Sequence, residues 1–127
     1  MTSTNTTGSS SASHIDRWQV QLRKGCLDLA ILGIPWPERL YGLEILRRLE
    51  KDSDMALSAG TVYPLLARLK AEGLFESEWV EADAGHPRKY YRLTAVGRRR
   101  AIEMARMWSN FASSLGDLLS PVLKEKR

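Results

Sequence analysis

The chain has 127 residues, one cysteine and a formal charge of +4, a length that fits a single domain with a modest core. The lone Cys26 leaves no internal disulfide framework and no multi-cysteine zinc site, and no apolar run approaches the ~20 residues of a membrane span. The charge permits nucleic acid, an acidic protein or a membrane surface as partner, but its distribution is sharper: from Gly85 to Arg106, seven bases (Arg88, Lys89, Arg92, Arg98, Arg99, Arg100 and Arg106) meet one acid, Glu103, and the rest of the chain is slightly acidic.

Residues 1–13 are almost entirely Ser, Thr, Asn, Gly and Ala, too polar to offset the entropy of ordering, so a disordered tail is expected over 1–15. It lacks the basic and apolar regions of a signal peptide, and the protein reads as soluble and cytoplasmic. An amphipathic helix is expected from about Asp16, its N-cap, to Gly33, with Trp18, Leu22, Leu29 and Leu32 among its apolar positions. Cys26 lies within it, read as a small buried apolar residue in preference to a redox sensor. Two prolines around Trp36 make 33–37 a connector.

A second helix is expected from about Leu40 to Lys51, with Leu43, Ile45, Leu46 and Leu49 inward and Arg47, Arg48 and Glu50 outward. Ser58 is placed to cap a third, in which Val62, Leu65, Leu66 and Leu69 fall at i, i+3, i+4 and i+7, Pro64 sits in the first turns, and Gly73 ends the run. Residues 74–82 and 88–94, rich in Phe, Trp, Val and Tyr, flank the breakers Asp83, Gly85 and Pro87, the pattern of a β-hairpin. Thr94 precedes a long last helix. There Met104, Trp108, Phe111, Leu115, Leu118 and Val122 recur at spacings of 4, 3, 4, 3 and 4, a heptad seam of the kind that packs on another helix, weakened at its end by Gly116 and Pro121.

This order predicts a mostly α fold with a small β-hairpin: a winged helix-turn-helix over 16–95, followed by a dimerisation helix over 96–127. In such a fold the third helix enters the major groove and the hairpin touches the neighbouring backbone or minor groove. Ser58, Thr61 and Tyr63 stand at the N-terminal end of that helix, where amides and the helix dipole favour phosphate; Ser58 and Thr61 serve equally well as caps. Arg68 and Lys70 extend its polar face. His86, Arg88 and Lys89 occupy the hairpin tip and its exit, where each cation adds salt-sensitive phosphate attraction. An isolated run of this kind is usually a solvated loop; directly after a helix-turn-helix pattern it reads as a wing. Arg98, Arg99 and Arg100 open the last helix, at a positive helix end that disfavours them unless a phosphate or an acidic partner lies near.

KGCLDLAILGI at 24–34, YGLEILRRLE at 41–50, LSAGTVYPLLARLKAEGLFESEW at 57–79 and RKYYRLTAVGRRR at 88–100, in that order, make the chain similar to the PadR family of bacterial transcriptional regulators over about 21–108. Its single carboxy-terminal helix resembles the compact subfamily that includes multidrug-binding repressors. The resemblance implies a homodimer in which the last helix packs on the partner's first and last helices, with Trp18, Leu22, Met104, Met107, Trp108, Phe111 and Leu115 at the interface. It also implies a repressor on a palindromic operator of double-stranded DNA, often beside its own gene, released by a small aromatic effector. By the same likeness Lys24, Tyr41, Ser58, Thr61, Tyr63, Arg88 and Lys89 match DNA-contacting positions. Trp108 matches a tryptophan that stacks on flat ligands, although a packed interface aromatic explains it as well; Met104 and Met107 would let such a slot adapt. The Ser/Thr-rich tail and the connector PWPERL depart from shorter relatives.

The competing reading is a protein-interaction adaptor that kept the winged fold without reading DNA, and the basic wing argues against it. An enzyme is the weakest: His14, His86 and Cys26 form neither a triad nor a metal cluster, and no cofactor is implied.

Overall fold

The structure, a computed structural model, describes residues 2–51, 55, 57–81 and 85–125. Its elements are α1 (Thr2–Gly33), β1 (Leu40–Tyr41), α2 (Gly42–Lys51), α3 (Ala59–Ala71), β2 (Phe75–Val80), β3 (Arg88–Leu93) and α4 (Ala95–Leu123). The strands form one antiparallel sheet in the order β1-β3-β2. Three helices and a hairpin thus appear in the expected sequence, and α4 extends beyond them for 29 residues.

The core is where the apolar stripes meet. Ile31 and Leu32 of α1, Ile45 and Leu49 of α2, and Val62, Leu66 and Leu69 of α3 are almost fully buried, and Leu74, Phe75, Tyr91 and Leu93 close it from the sheet. Val62, Leu65, Leu66 and Leu69 are all buried, as the 3.6-residue period requires. Leu43 is a correction. It is 39% exposed, because Ile45, Leu46 and Leu49 already fill the inward stripe of α2 and Leu43 opens onto a surface cleft.

Two helix starts differ from expectation. Helix α1 begins at Thr2 and runs unbroken through Asp16 and through the segment read as a disordered tail; extending an existing helix adds one hydrogen bond per residue without a new nucleus. Helix α2 begins at Gly42, since Leu40 and Tyr41 pair with Tyr91 and Tyr90 of β3 as a short third strand. The Glu44 carboxylate accepts from the Tyr41 amide at 3.1 Å, half of a capping box that marks the helix boundary.

The end of α3 is a Schellman turn: Leu74 N donates to Leu69 O at 3.0 Å and Gly73 N to Lys70 O at 2.9 Å, with Gly73 at φ +82°. Thr94, the N-cap of α4, grips this turn. Its amide donates to Leu74 O at 3.0 Å, its hydroxyl donates to Gly73 O at 2.7 Å, and the same oxygen accepts from Gly97 N at 2.9 Å. Gly97 must lack a side chain, since a Cβ there would lie 2.0 Å from Leu74 O. Among the described residues no helix is long and apolar enough to cross a membrane.

Gly97→Ala is therefore expected to cost about 2–3 kcal/mol, by forcing backbone apart at a packed junction, and Gly73→Ala roughly 1–2 kcal/mol, for a left-handed residue that gains a Cβ. Denaturant titrations of both variants check this; a Gly97→Ala midpoint equal to that of the unsubstituted chain would refute the packed junction.

Candidate nucleic-acid interface

A cleft of about 520 Å³ opens between the first turns of α3, the β1–α2 junction and the hairpin, lined by Tyr41, Gly42, Leu43, Arg47, Tyr63, Pro87, Arg88, Lys89 and Tyr91. Among the described residues three cations and three tyrosines line it, and no carboxylate does. Gly42 makes its depth possible, because a Cβ there would meet the Tyr63 ring at 2.9 Å. Tyr63 itself is 41% exposed and stands over this opening.

The two faces of the sheet are electrostatically different. On one, Arg92 pairs with Glu76 at 2.8 Å, and Arg39 pairs with Glu78. On the other, Lys89, Tyr91 and Leu93 alternate along β3 towards α3. The Lys89 ammonium lies 5.8 Å from the ring centroids of both Trp79 and Tyr91. Its pKa is pushed below the ordinary lysine value, first by burial and then by the charge of Lys70. Burial also raises the Tyr91 phenol, with a further contribution from Tyr63. Two lysines thus converge where α3 meets the wing.

Ser58 is the N-cap of α3 by position, yet its side chain makes no cap hydrogen bond; its carbonyl accepts from Thr61 N and Val62 N, both at 3.0 Å. The Ser58 hydroxyl is therefore not consumed by capping. Thr61 is exposed beside it, and His86 and Arg88 are exposed at the hairpin. Lys24 is exposed on α1, one turn before Asp28.

Arg68 is engaged within the chain. Its guanidinium bridges Asp28 of α1 at 2.7 Å and Glu72 at 2.8 Å, and the two carboxylates, Glu72 first, hold its pKa above the usual value. Arg98 is likewise engaged within the chain: it donates to the Trp36 carbonyl at 3.1 Å, with its guanidinium carbon 4.6 Å from the Trp36 ring centroid. An unfavourable cation at a helix start is thus offset by the connector, with no outside anion required. Arg47, Gly42 and Tyr91 were missed as cleft residues; the YG pair ahead of α2 was their one sequence signal.

On the other side of the molecule, Trp18 and Leu22 of α1 are exposed, as are Met107, Trp108, Phe111 and Leu115 of α4, while Met104 is half-buried against the core. A second, apolar cleft of about 440 Å³ lies between α1 and α4, with Trp108, Leu29 and Met55 in its walls.

Three helices followed by a hairpin that frames a basic cleft define a winged helix-turn-helix DNA-binding protein. Residues 31–103 match the model of the transcriptional regulator PadR-like family. A PadR family transcriptional regulator from Eggerthella lenta superposes with a TM-score of 0.75 at 33% identity, covering 87% of this chain and 96% of that one. A PadR-like transcriptional regulator from Bacillus cereus gives 0.72 at 32% identity, covering 84% and 99%. A transcriptional regulator of Mycobacterium tuberculosis is 34% identical over 89 residues, 65% of this chain and 81% of its own length. The chain belongs to the PadR-like family of transcriptional regulators and is a DNA-binding regulator, not an enzyme.

Lys89 carries a depressed pKa, so its charge weakens the free fold at neutral pH, and that penalty disappears only as pH rises past the folded value towards the ordinary lysine range. Lys89→Met is accordingly expected to raise the thermal midpoint at pH 7 and to lose that advantage near pH 10 to 11. Thermal melts at the two pH values test it, and a lowered midpoint at pH 7 would contradict the assignment.

Proposed function

We propose that this regulator is a homodimeric, ligand-responsive repressor that grips an inverted-repeat operator through α3 and the basic wing. The observation that supports the reading is a cleft with no carboxylate among its described lining residues: Arg47, Arg88 and Lys89 make no ion pair among the described residues around Tyr63, whereas Arg39 and Arg92 pair with Glu78 and Glu76. Cations left without partners supply phosphate attraction, and Tyr63 with the Ser58 and Thr61 hydroxyls reaches towards base edges and phosphate. Lys24, Lys70 and His86 widen the positive surface. Arg68, held by Asp28 and Glu72, serves instead to join α3 to α1.

The dimer is assigned to 96–127 together with α1, and DNA reading to 16–95. Phe111 is 66% exposed and Trp108 53%, on a seam that a single chain leaves open to water; contiguous apolar surface of this kind is buried in stable assemblies. A flat aromatic effector fits the apolar cleft beside Trp108 by offset stacking. Neither a membrane nor a cofactor enters the reading, and the protein acts where DNA is, in the cytoplasm.

Fluorescence anisotropy with duplex from the region upstream of its own gene, at physiological salt, tests the DNA half. Preference over random duplex is expected, with affinity falling steeply as salt rises. Arg88→Glu with Lys89→Glu weakens binding to every sequence, Tyr63→Ala also blurs the choice between sequences, and Arg68→Ala, if the fold is intact, changes DNA affinity by less than about twofold. No preference at all would sink the reading. Sedimentation tests the assembly: a dimer is expected, converted to monomer by Phe111→Asp, and a monomeric unsubstituted chain with Trp108 in water would refute it.

A further inference from the structure

Tyr41 matches a DNA-contacting position by family likeness, yet its surroundings suit another task. It lies directly opposite Tyr90 on β3, their rings edge-to-face with centroids 5.6 Å apart. The Arg88 guanidinium carbon sits 4.5 Å from the Tyr41 centroid, and that of Arg39 sits 4.6 Å from the Tyr90 centroid. Glu78, across from Tyr90 on β2, pairs with Arg39. The result is a continuous stack: Glu78, Arg39, Tyr90, Tyr41, Arg88. Its inner cation, Arg39, is neutralised by a carboxylate. Its outer cation, Arg88, makes no ion pair among the described residues and stands exposed at the cleft edge, at the start of β3.

A guanidinium laid on an aromatic face keeps its N–H edge available to an acceptor while its position is restrained. Ordering a long side chain before the ligand arrives removes part of the entropy cost of binding. We propose that Tyr41 is a positioning residue for DNA binding: its ring, braced by Tyr90, holds Arg88 ready for a backbone phosphate. This rests on the reading of the cleft as the DNA surface. Tyr41 acts through its ring, so its hydroxyl is dispensable.

The test is anisotropy titration of the full chain with its preferred duplex, or with random duplex if no preference exists, for the unsubstituted protein and for Tyr41→Phe, Tyr41→Leu, Arg88→Lys, Arg88→Ala and the double variant Tyr41→Leu with Arg88→Ala. Tyr41→Phe binds as the unsubstituted chain does, because the ring and its stack persist. Tyr41→Leu and Arg88→Lys each lose about two- to fivefold, the size of an exposed cation–π contact. In the Arg88→Ala background, Tyr41→Leu causes no further loss, since the group it positions is gone. Should Tyr41→Leu not fold, Arg88→Lys still decides the matter, because it keeps the charge and abolishes the planar stack. A Tyr41→Phe loss as large as that of Tyr41→Leu, Arg88→Lys binding like the unsubstituted chain, or independent losses in the double variant would each overturn the proposal while leaving the cleft as the DNA surface. A chain with no DNA affinity at all would overturn both.

Discussion

The architecture turns on the clasp between Thr94 and the end of α3. One threonine donates from its amide and its hydroxyl to the carbonyls of the Gly73–Leu74 turn and accepts the amide of Gly97, so α3, β2, β3 and α4 are tied at a single point by backbone groups. Gly97 lets α4 approach Leu74 as closely as this requires. Because main-chain carbonyls and amides have no rotamers to relax into, the clasp sets the direction in which α4 leaves the sheet. In the proposed dimer, the spacing of two reading surfaces joined through α4 would follow from this local backbone junction. A second brace, Arg98 on Trp36, fastens the same end of α4 to the connector after α1.

The distribution of charge follows from which arginines find carboxylates. Arg39, Arg68 and Arg92 are paired with Glu78, Asp28 and Glu72, and Glu76, on surfaces turned away from the cleft or at its margin. Exposed pairs of this kind contribute little to stability. What they accomplish is local neutrality, so that the positive potential is concentrated where Arg47, Arg88 and Lys89 have no such partner among the described residues. Lys89 is held below the ordinary lysine value first by burial and then by the charge of its neighbour Lys70, and an incoming phosphate would offset the second of these.

The core of the fold was legible in the sequence because its signals are local. The Val62, Leu65, Leu66, Leu69 stripe and the glycine at 73 place α3 within a residue or two, and the aromatic runs around Gly85 and Pro87 place the hairpin. Strand β1 was not legible, since two residues carry no period and their pairing with β3 is decided fifty residues away. The start of α1 was misjudged for a related reason: Asp16 is a good cap, but a cap residue inside a growing helix does not stop it. Side-chain roles were the least readable. Nothing near Arg68 in the chain announces Asp28 on another helix, and nothing near Arg98 announces Trp36. The seven cations of the 85–106 stretch look alike in sequence, yet four of them take different roles in space: a stacked Arg88, a half-buried Lys89 beside Trp79, a paired Arg92 and a bracing Arg98.

Selection of binding sites from a random duplex library by the full chain tests the central claim most directly, because it assumes nothing about the genome. Two identical basic clefts held at a fixed separation by clasped terminal helices should enrich an inverted repeat whose half-sites lie about one helical turn apart, ~10 base pairs between centres. Enrichment of an unrepeated half-site, of repeats with no preferred spacing, or of no sequence at all would contradict it.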